Sequence, residues 1–454
     1  MIHRALVVAA ALAATGCIPA LDRGPPVDQG GGSWDLPVFP QGDALVAGGD
    51  ADGKVGPGCT ASCKLGCNTA AGRCNRVKPS NYDPSGIHDQ AIGKLSGTGE
   101  IVIDVETGEI KDGAGVIRPA GSRGGVAGGI YWDVVSQGAG YPELAVFGVA
   151  ALDLPAGAKA SATGKHAVAI YVTGAATIAG TLAVPAAGSE GGPGGFDGGE
   201  NNAKPGASCF GGEGKGGGTD ANPNNGDGGG GGGGFKGQGG GGADSNYPPK
   251  PPGGAGGAES GGETLVPLRG GCGGGAGGGP ETGSTVGNGG YGGGGGGAVQ
   301  VAANGTLEVS GVITAPGAGG EGGHYGAAGG GGGAGGAILL EAAEVKVTGT
   351  LAANGGGGGS GSEIYTKANA PNGEDGQPSS TPAAGGKDNG AYGGPGGAGG
   401  AGATEAGTKP KTDANGGGGG GGVGRIRVNA PTSDTASGTF SPAALSVGSK
   451  VGVW

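Results

Sequence analysis

The stretch Gly336-Ala337-Ile338-Leu339-Leu340-Glu341-Ala342-Ala343-Glu344-Val345-Lys346-Val347-Thr348-Gly349-Thr350-Leu351-Ala352-Ala353 decides the fold. Two short alternating segments lead into a Gly-Thr-Leu step, and a run of glycines follows. Ile338 and Leu340 point one way and Leu339 the other. This is the period of a half-buried strand, because successive side chains leave opposite faces of the pleat.

The phrase recurs three times. One copy pairs Val299-Gln300-Val301 with Leu307-Glu308-Val309-Ser310-Gly311-Val312-Ile313. An earlier one pairs Val168-Ala169-Ile170 with Ile178-Ala179-Gly180-Thr181-Leu182, and a late one pairs Ile426-Arg427-Val428 with Gly438-Thr439-Phe440. The first apolar positions keep their spacing to the glycine step although the copies start 131, 39 and 88 residues apart. A unit of two short strands cannot bury its apolar face alone, so copies must stack. The expectation is an all-β chain, a parallel β-solenoid-like stack of short strands with glycine-rich insertions. Hairpins within an ordinary sandwich are the other arrangement this pattern allows. In the stacked form Glu308 falls beside Lys346, and the glycine before each Thr-Leu step suits a tight bend.

Working outward, 129 of 454 residues are glycine. Leu, Ile, Val and Phe together make about 15% of the chain, a level at which buried apolar surface barely offsets chain entropy. These residues cluster in the strand segments, so the expected core is narrow. Residues 77–187 read as the first rungs, led by the alternation Ile101, Ile103, Val105, with Tyr131, Trp132 and Tyr141 in an intervening loop. Residues 188–297 are a glycine-rich insertion, and 298–454 carry the remaining rungs with further glycine tracts. Such tracts form either flexible coil or extended threefold helices of the polyglycine-II kind, which lack internal hydrogen bonds and can bond to one another. Tracts that leave a regular stack at equivalent points favour the ordered form.

The amino terminus resembles a bacterial lipoprotein signal. Arg4 precedes the apolar run 5–14, and Ala14-Thr15-Gly16 leads into Cys17. The resemblance implies cleavage after residue 16 and a lipid on Cys17, hence a membrane anchor at the outer membrane or cell surface. Residues 17–57 read as a flexible Pro-, Gly- and Asp-rich tether. Cys59, Cys63, Cys67 and Cys74 form a small module at 58–76, for which two disulfides are the expectation in an exported chain and zinc the competing reading. Cys209 and Cys272 flank the longest glycine tract and are expected to bridge it. Asp50 and Asp52 supply too few oxygen ligands for a calcium loop.

The repeat phrases Gly335-Gly336-Ala337-Ile338-Leu339-Leu340, Gly349-Thr350-Leu351-Ala352-Ala353-Asn354-Gly355 and Gly424-Arg425-Ile426-Arg427-Val428 resemble those of glycine-rich bacterial surface lipoproteins. In composition alone, the chain is similar to the glycine-rich domains of mycobacterial PE-PGRS proteins. Neither likeness implies a catalytic role.

Residues for chemistry are sparse. The formal charge of −11 argues against nucleic acid as a partner. No phosphate-binding loop, nucleophile elbow, metal-type histidine pair or cofactor motif stands in a suitable frame. The reading is therefore a non-catalytic structural or adhesive surface protein, with Trp132, Tyr171, Tyr291 and Tyr325 as aromatics that could stack on a surface polysaccharide. Two rivals remain. In a polysaccharide-active enzyme, Asp104, Glu106, Glu109 and Asp112 would supply the carboxylates. In a surface-ordering protein, Thr181, Thr350 and Thr439 would form a flat rank.

Overall fold

The four copies of the phrase lie side by side. A computed structural model of the chain describes residues 63–220, 226–279, 288–363 and 369–454, all within the unit Ala47–Trp454. The signal segment, Cys17, the tether, Asp50, Asp52 and Cys59 lie outside the described residues. No helix occurs among the described residues; the strands form mixed sheets of twelve and eight, plus two two-stranded ribbons.

Between copies the pairing is parallel and in register. Val168 lies beside Val299, Val299 beside Ile338, and Ile338 beside Ile426. Glu308 lies opposite Lys346, as the alignment requires, although the Lys346 ammonium turns to Glu344 at 3.4 Å. Leu144–Val149, irregular in sequence, joins as a further copy. On the second sheet Ala160, Leu182, Ile313, Leu351 and Phe440 form one rank. The intervening residues are looped out of the stack, so unequal spacing in sequence leaves the register intact. Val299, Val301, Ile338, Leu340, Ile426 and Val428 meet Leu182, Ile313 and Leu351 in an apolar core between the sheets.

Gly311 and Gly349 serve close approach rather than a special dihedral. A Cβ on Gly311 would press into the carbonyl of Gly180, and one on Gly349 into that of Gly311. Neither has a positive φ.

The sheets are not purely parallel. Ile130–Val135 pairs antiparallel with Leu144–Val149, and Ile110–Asp112 antiparallel with Glu100–Asp104. These hairpins cover the amino-terminal edges of the two sheets, where an open edge would invite pairing with another chain. Tyr131 and Trp132, expected in a loop, belong to Ile130–Val135 and are buried.

The first halves of the expected half-buried strands are buried on both faces, whereas the second halves keep the alternation, with Glu308 and Lys346 exposed. Gln300 and Leu339, which alternation points outward, are fully enclosed. A second apolar layer accounts for this. Val77, Tyr82 and Ile87 from the start of the described chain, with Phe235, Leu265 and Leu268 from the glycine insertion, pack with Leu339, Tyr171 and Val146. Gly452–Val453 pairs with Val77–Lys78, and the Trp454 indole donates to the Val77 carbonyl at 3.0 Å. The buried Glu341 carboxylate accepts from Ser80 N–H (3.0 Å), Gln300 Nε2 (2.5 Å) and Asn429 Nδ2 (3.1 Å), which ties this layer to three strands.

The described glycine tracts bond to one another with a period of three. Gly230 donates to the Gly329 carbonyl at 2.9 Å, Gly329 to Gly416 at 3.0 Å, and Gly419 back to Gly230 at 2.9 Å. One step on, Gly233 donates to Gly332, Gly332 to Gly419, and Gly422 to Gly233. Intervening residues turn to other tracts, Gly231 to Lys215 and Gly232 to Gly240. Residues 226–235 are buried throughout, so these bonds satisfy backbone groups that water does not reach.

Candidate functional site: a cationic cleft beside the Cys209–Cys272 bridge

Cys209 and Cys272 are joined as expected, Cα to Cα 5.7 Å across a separation of 63 residues, and both are fully buried. The bridge gathers what the glycine tracts otherwise lack, large side chains. Arg269, 3% exposed, sets its guanidinium 4.6 Å from the Phe235 ring centroid, 4.9 Å from Phe210 and 5.7 Å from Phe196. It donates to Ser260 Oγ at 2.9 Å, the Gly270 carbonyl at 3.2 Å and Cys209 Sγ at 3.3 Å. No described carboxylate forms an ion pair with it. Burial pulls its pKa down to about 10, with the charge of Arg425 adding to the fall and Tyr141 opposing it. It therefore stays cationic at neutral pH.

Arg425 reaches the other side of the cluster, 5.5 Å from Phe235. Its Nη2 meets Glu259 Oε1 at 3.2 Å, while its buried Nε has no hydrogen-bond partner. Of the two buried guanidiniums only that of Arg425 meets a carboxylate, and that carboxylate is largely exposed. The locality is cationic in a chain of charge −11.

Above Arg269 opens a cleft of about 120 Å³, lined also by Tyr141, Phe210, Leu265, Val266 and Pro267. Phe210 is 49% and Val266 46% exposed. The Tyr141 ring stacks on Phe210 at 4.8 Å and 26°. Phe210 and Leu265 hold φ of 55° and 56°, a left-handed conformation costly for residues with a Cβ. Two such residues in one small cleft mark a place where the surroundings impose the backbone. Gln137 supports the rim: its amide donates to the Pro142 and Leu268 carbonyls and accepts from Leu268 N–H, each at 2.8 Å.

The aromatics singled out in the sequence divide. Tyr171 is fully buried, its hydroxyl accepting from Asn304 Nδ2 at 3.1 Å, and Trp132 is buried beneath Arg118. Neither ring is open to a glycan, because the outer apolar layer and the end hairpins cover them. Tyr291 and Tyr325 keep 36% exposure. Tyr291 lines a separate cleft of about 190 Å³ with Ser189, Glu321 and Asn372. Sequence reasoning passed over Phe210, Phe235 and Arg269; the one signal was that Phe210 and Arg269 stand beside Cys209 and Cys272, and Phe235 between them, in a tract otherwise nearly free of large side chains.

The carboxylates of the enzyme reading are occupied locally. Asp104 Oδ1 accepts from Glu106 and Thr107 N–H, and Asp112 Oδ1 from Ala114 and Gly115 N–H. Glu109 pairs with Lys111 at 3.0 Å, and Glu106 with His166 at 2.9 Å. In the threonine rank, Val312 stands between Thr181 and Thr350. Cys63 is bonded to Cys74 and Cys67 is disulfide-bonded too, which removes all three as zinc ligands. Among the described residues no cluster of His, Cys, Asp or Glu could hold a metal, and no helix is long and apolar enough to cross a membrane.

Set beside family models, curated proteins and solved structures, the chain matches none of them.

Proposed function

We propose that this is an exported, lipid-anchored surface protein, structural or adhesive rather than catalytic, in which a parallel β-solenoid carries lobes of packed polyglycine-II helices. The observation that carries this reading is the run of hydrogen bonds from Gly419 to Gly230 to Gly329 to Gly416, which returns to its starting tract three residues away and repeats every third residue. Threefold helices without side chains can approach closely enough to bond on all sides, and the product is a stiff, backbone-built slab. In-register parallel pairing of the repeats supports the solenoid, and the disulfides suit an oxidising compartment. Attachment through Cys17 to a membrane and contact with surface polysaccharide complete the proposal.

The test is to pass the full chain over a broad polysaccharide panel, scoring retention and new reducing ends together. Retention without cleavage is the expected result. Cleavage would overturn it in favour of an enzyme, and neither signal would leave a structural coat protein.

A further inference from the structure

We infer that the cleft over Arg269 binds a carboxylate-bearing sugar, a hexuronate unit within an acidic polysaccharide; this rests on the adhesive reading above. Two buried guanidiniums, Arg269 and Arg425, meet the same Phe235 ring, and only one carboxylate answers them. Burying a cation without a counter-charge is costly, and an anion arriving at the cleft would lower that cost. The planar, permanently charged guanidinium suits a carboxylate.

The walls favour a sugar over a free inorganic anion. Tyr141 and Arg269 both pack against the ring of Phe210, which holds this half-exposed aromatic in place at the cleft. Leu265, Val266 and Pro267 add an apolar wall for the C–H groups of a pyranose. A volume of about 120 Å³ accommodates the carboxylate end of one sugar, with the polymer continuing across the surface past Val266. The imposed left-handed backbone at Phe210 and Leu265 holds two lining residues in place before the ligand arrives. Overall charge repels acidic polymers, so binding has to be local to this cleft.

The test uses the full chain and four immobilised polymers: polygalacturonate, its carboxyl-reduced form, a neutral galactan and polyglutamate. Val266 is exposed, so Val266→Glu and Val266→Lys change the charge at the cleft mouth without touching the core, which circular dichroism checks. Retention is expected on polygalacturonate alone, and at least tenfold weaker for Val266→Glu than for Val266→Lys. Phe210→Ala should weaken retention as well. Equal retention on the carboxyl-reduced polymer or the galactan overturns the carboxylate assignment and leaves the adhesive reading standing. Equal behaviour of the two Val266 variants on polygalacturonate moves the site elsewhere. Retention on polyglutamate would make the partner an acidic peptide. No retention on any polymer overturns the adhesive reading along with this one.

Discussion

The side-chain amide of Gln137 and the backbone of Leu268 exchange two hydrogen bonds, both 2.8 Å, across 131 residues of sequence. That exchange fastens the loop between the two strands of the end hairpin to the glycine insertion at the rim of the cleft. Gln137→Ala strands a largely buried N–H and C=O, and the expected loss is about 1–3 kcal/mol in denaturant unfolding. Gln137→Glu keeps the acceptor only and should fall between. An unchanged midpoint for Gln137→Ala would show that water replaces the amide.

Backbone crowding should separate two glycines of the same chemical type. A Cβ on Gly232 would run into the carbonyl of Gly420, whereas one on Gly113 meets nothing within 4 Å. Gly232→Ala is expected to cost about 1–3 kcal/mol or more through overpacking, and Gly113→Ala to lie within about 0.5 kcal/mol of wild type. Thermal melts of the two variants decide it; equal melts would mean the tracts yield easily.

Asp227 should make stability fall with rising pH. It is 2% exposed, and burial pushes its pKa up to about 7, with the charge of Asp220 adding and the Asp220 N–H opposing. Its folded pKa lies above the unfolded value, so the unfolded chain releases the proton first. Stability is then lost progressively from about pH 4 to pH 7, by up to about 4 kcal/mol if the whole shift is realised. Asp227→Asn should flatten that slope in urea titrations at several pH values. A slope unchanged in the variant would assign the pH dependence to other groups.

The Cys209–Cys272 bridge closes a long glycine-rich loop. Replacing both cysteines by alanine should cost about 2–5 kcal/mol and weaken the cleft first, because Arg269 leans on both sulfurs. Limited proteolysis near residue 265 reads the local effect. Non-reducing mass spectrometry should find Cys209 and Cys272 in one linked peptide.

Anchoring is tested at the other end of the chain. Cys17→Ser should release the protein from membranes in cell fractionation. Continued attachment would remove the lipid from the proposal.

The sequence by itself determined the all-β class and the in-register pairing of the repeat copies, but not the antiparallel end hairpins or the strand that holds Tyr131 and Trp132. Val168, Val299, Ile338 and Ile426 share a phase that only side-by-side pairing satisfies, and Glu308 faces Lys346 as counted from the sequence. It also placed Cys209 opposite Cys272. What covers a strand face was another matter. Alternation records that two faces differ but not which distant segment lies on the outer one, so Leu339 and Tyr171 read as exposed until residues 77–87 and 235–268 were seen to cover them. The glycine tracts carry no side-chain pattern, since their partners are chosen by backbone hydrogen bonds, between residues as near in the chain as Gly232 and Gly240 and as far as Gly230 and Gly419. The cleft likewise exists only in three dimensions. Tyr141, Phe210 and Arg269 come from separate loops, and their meeting depends on how the insertion folds back onto the sheet.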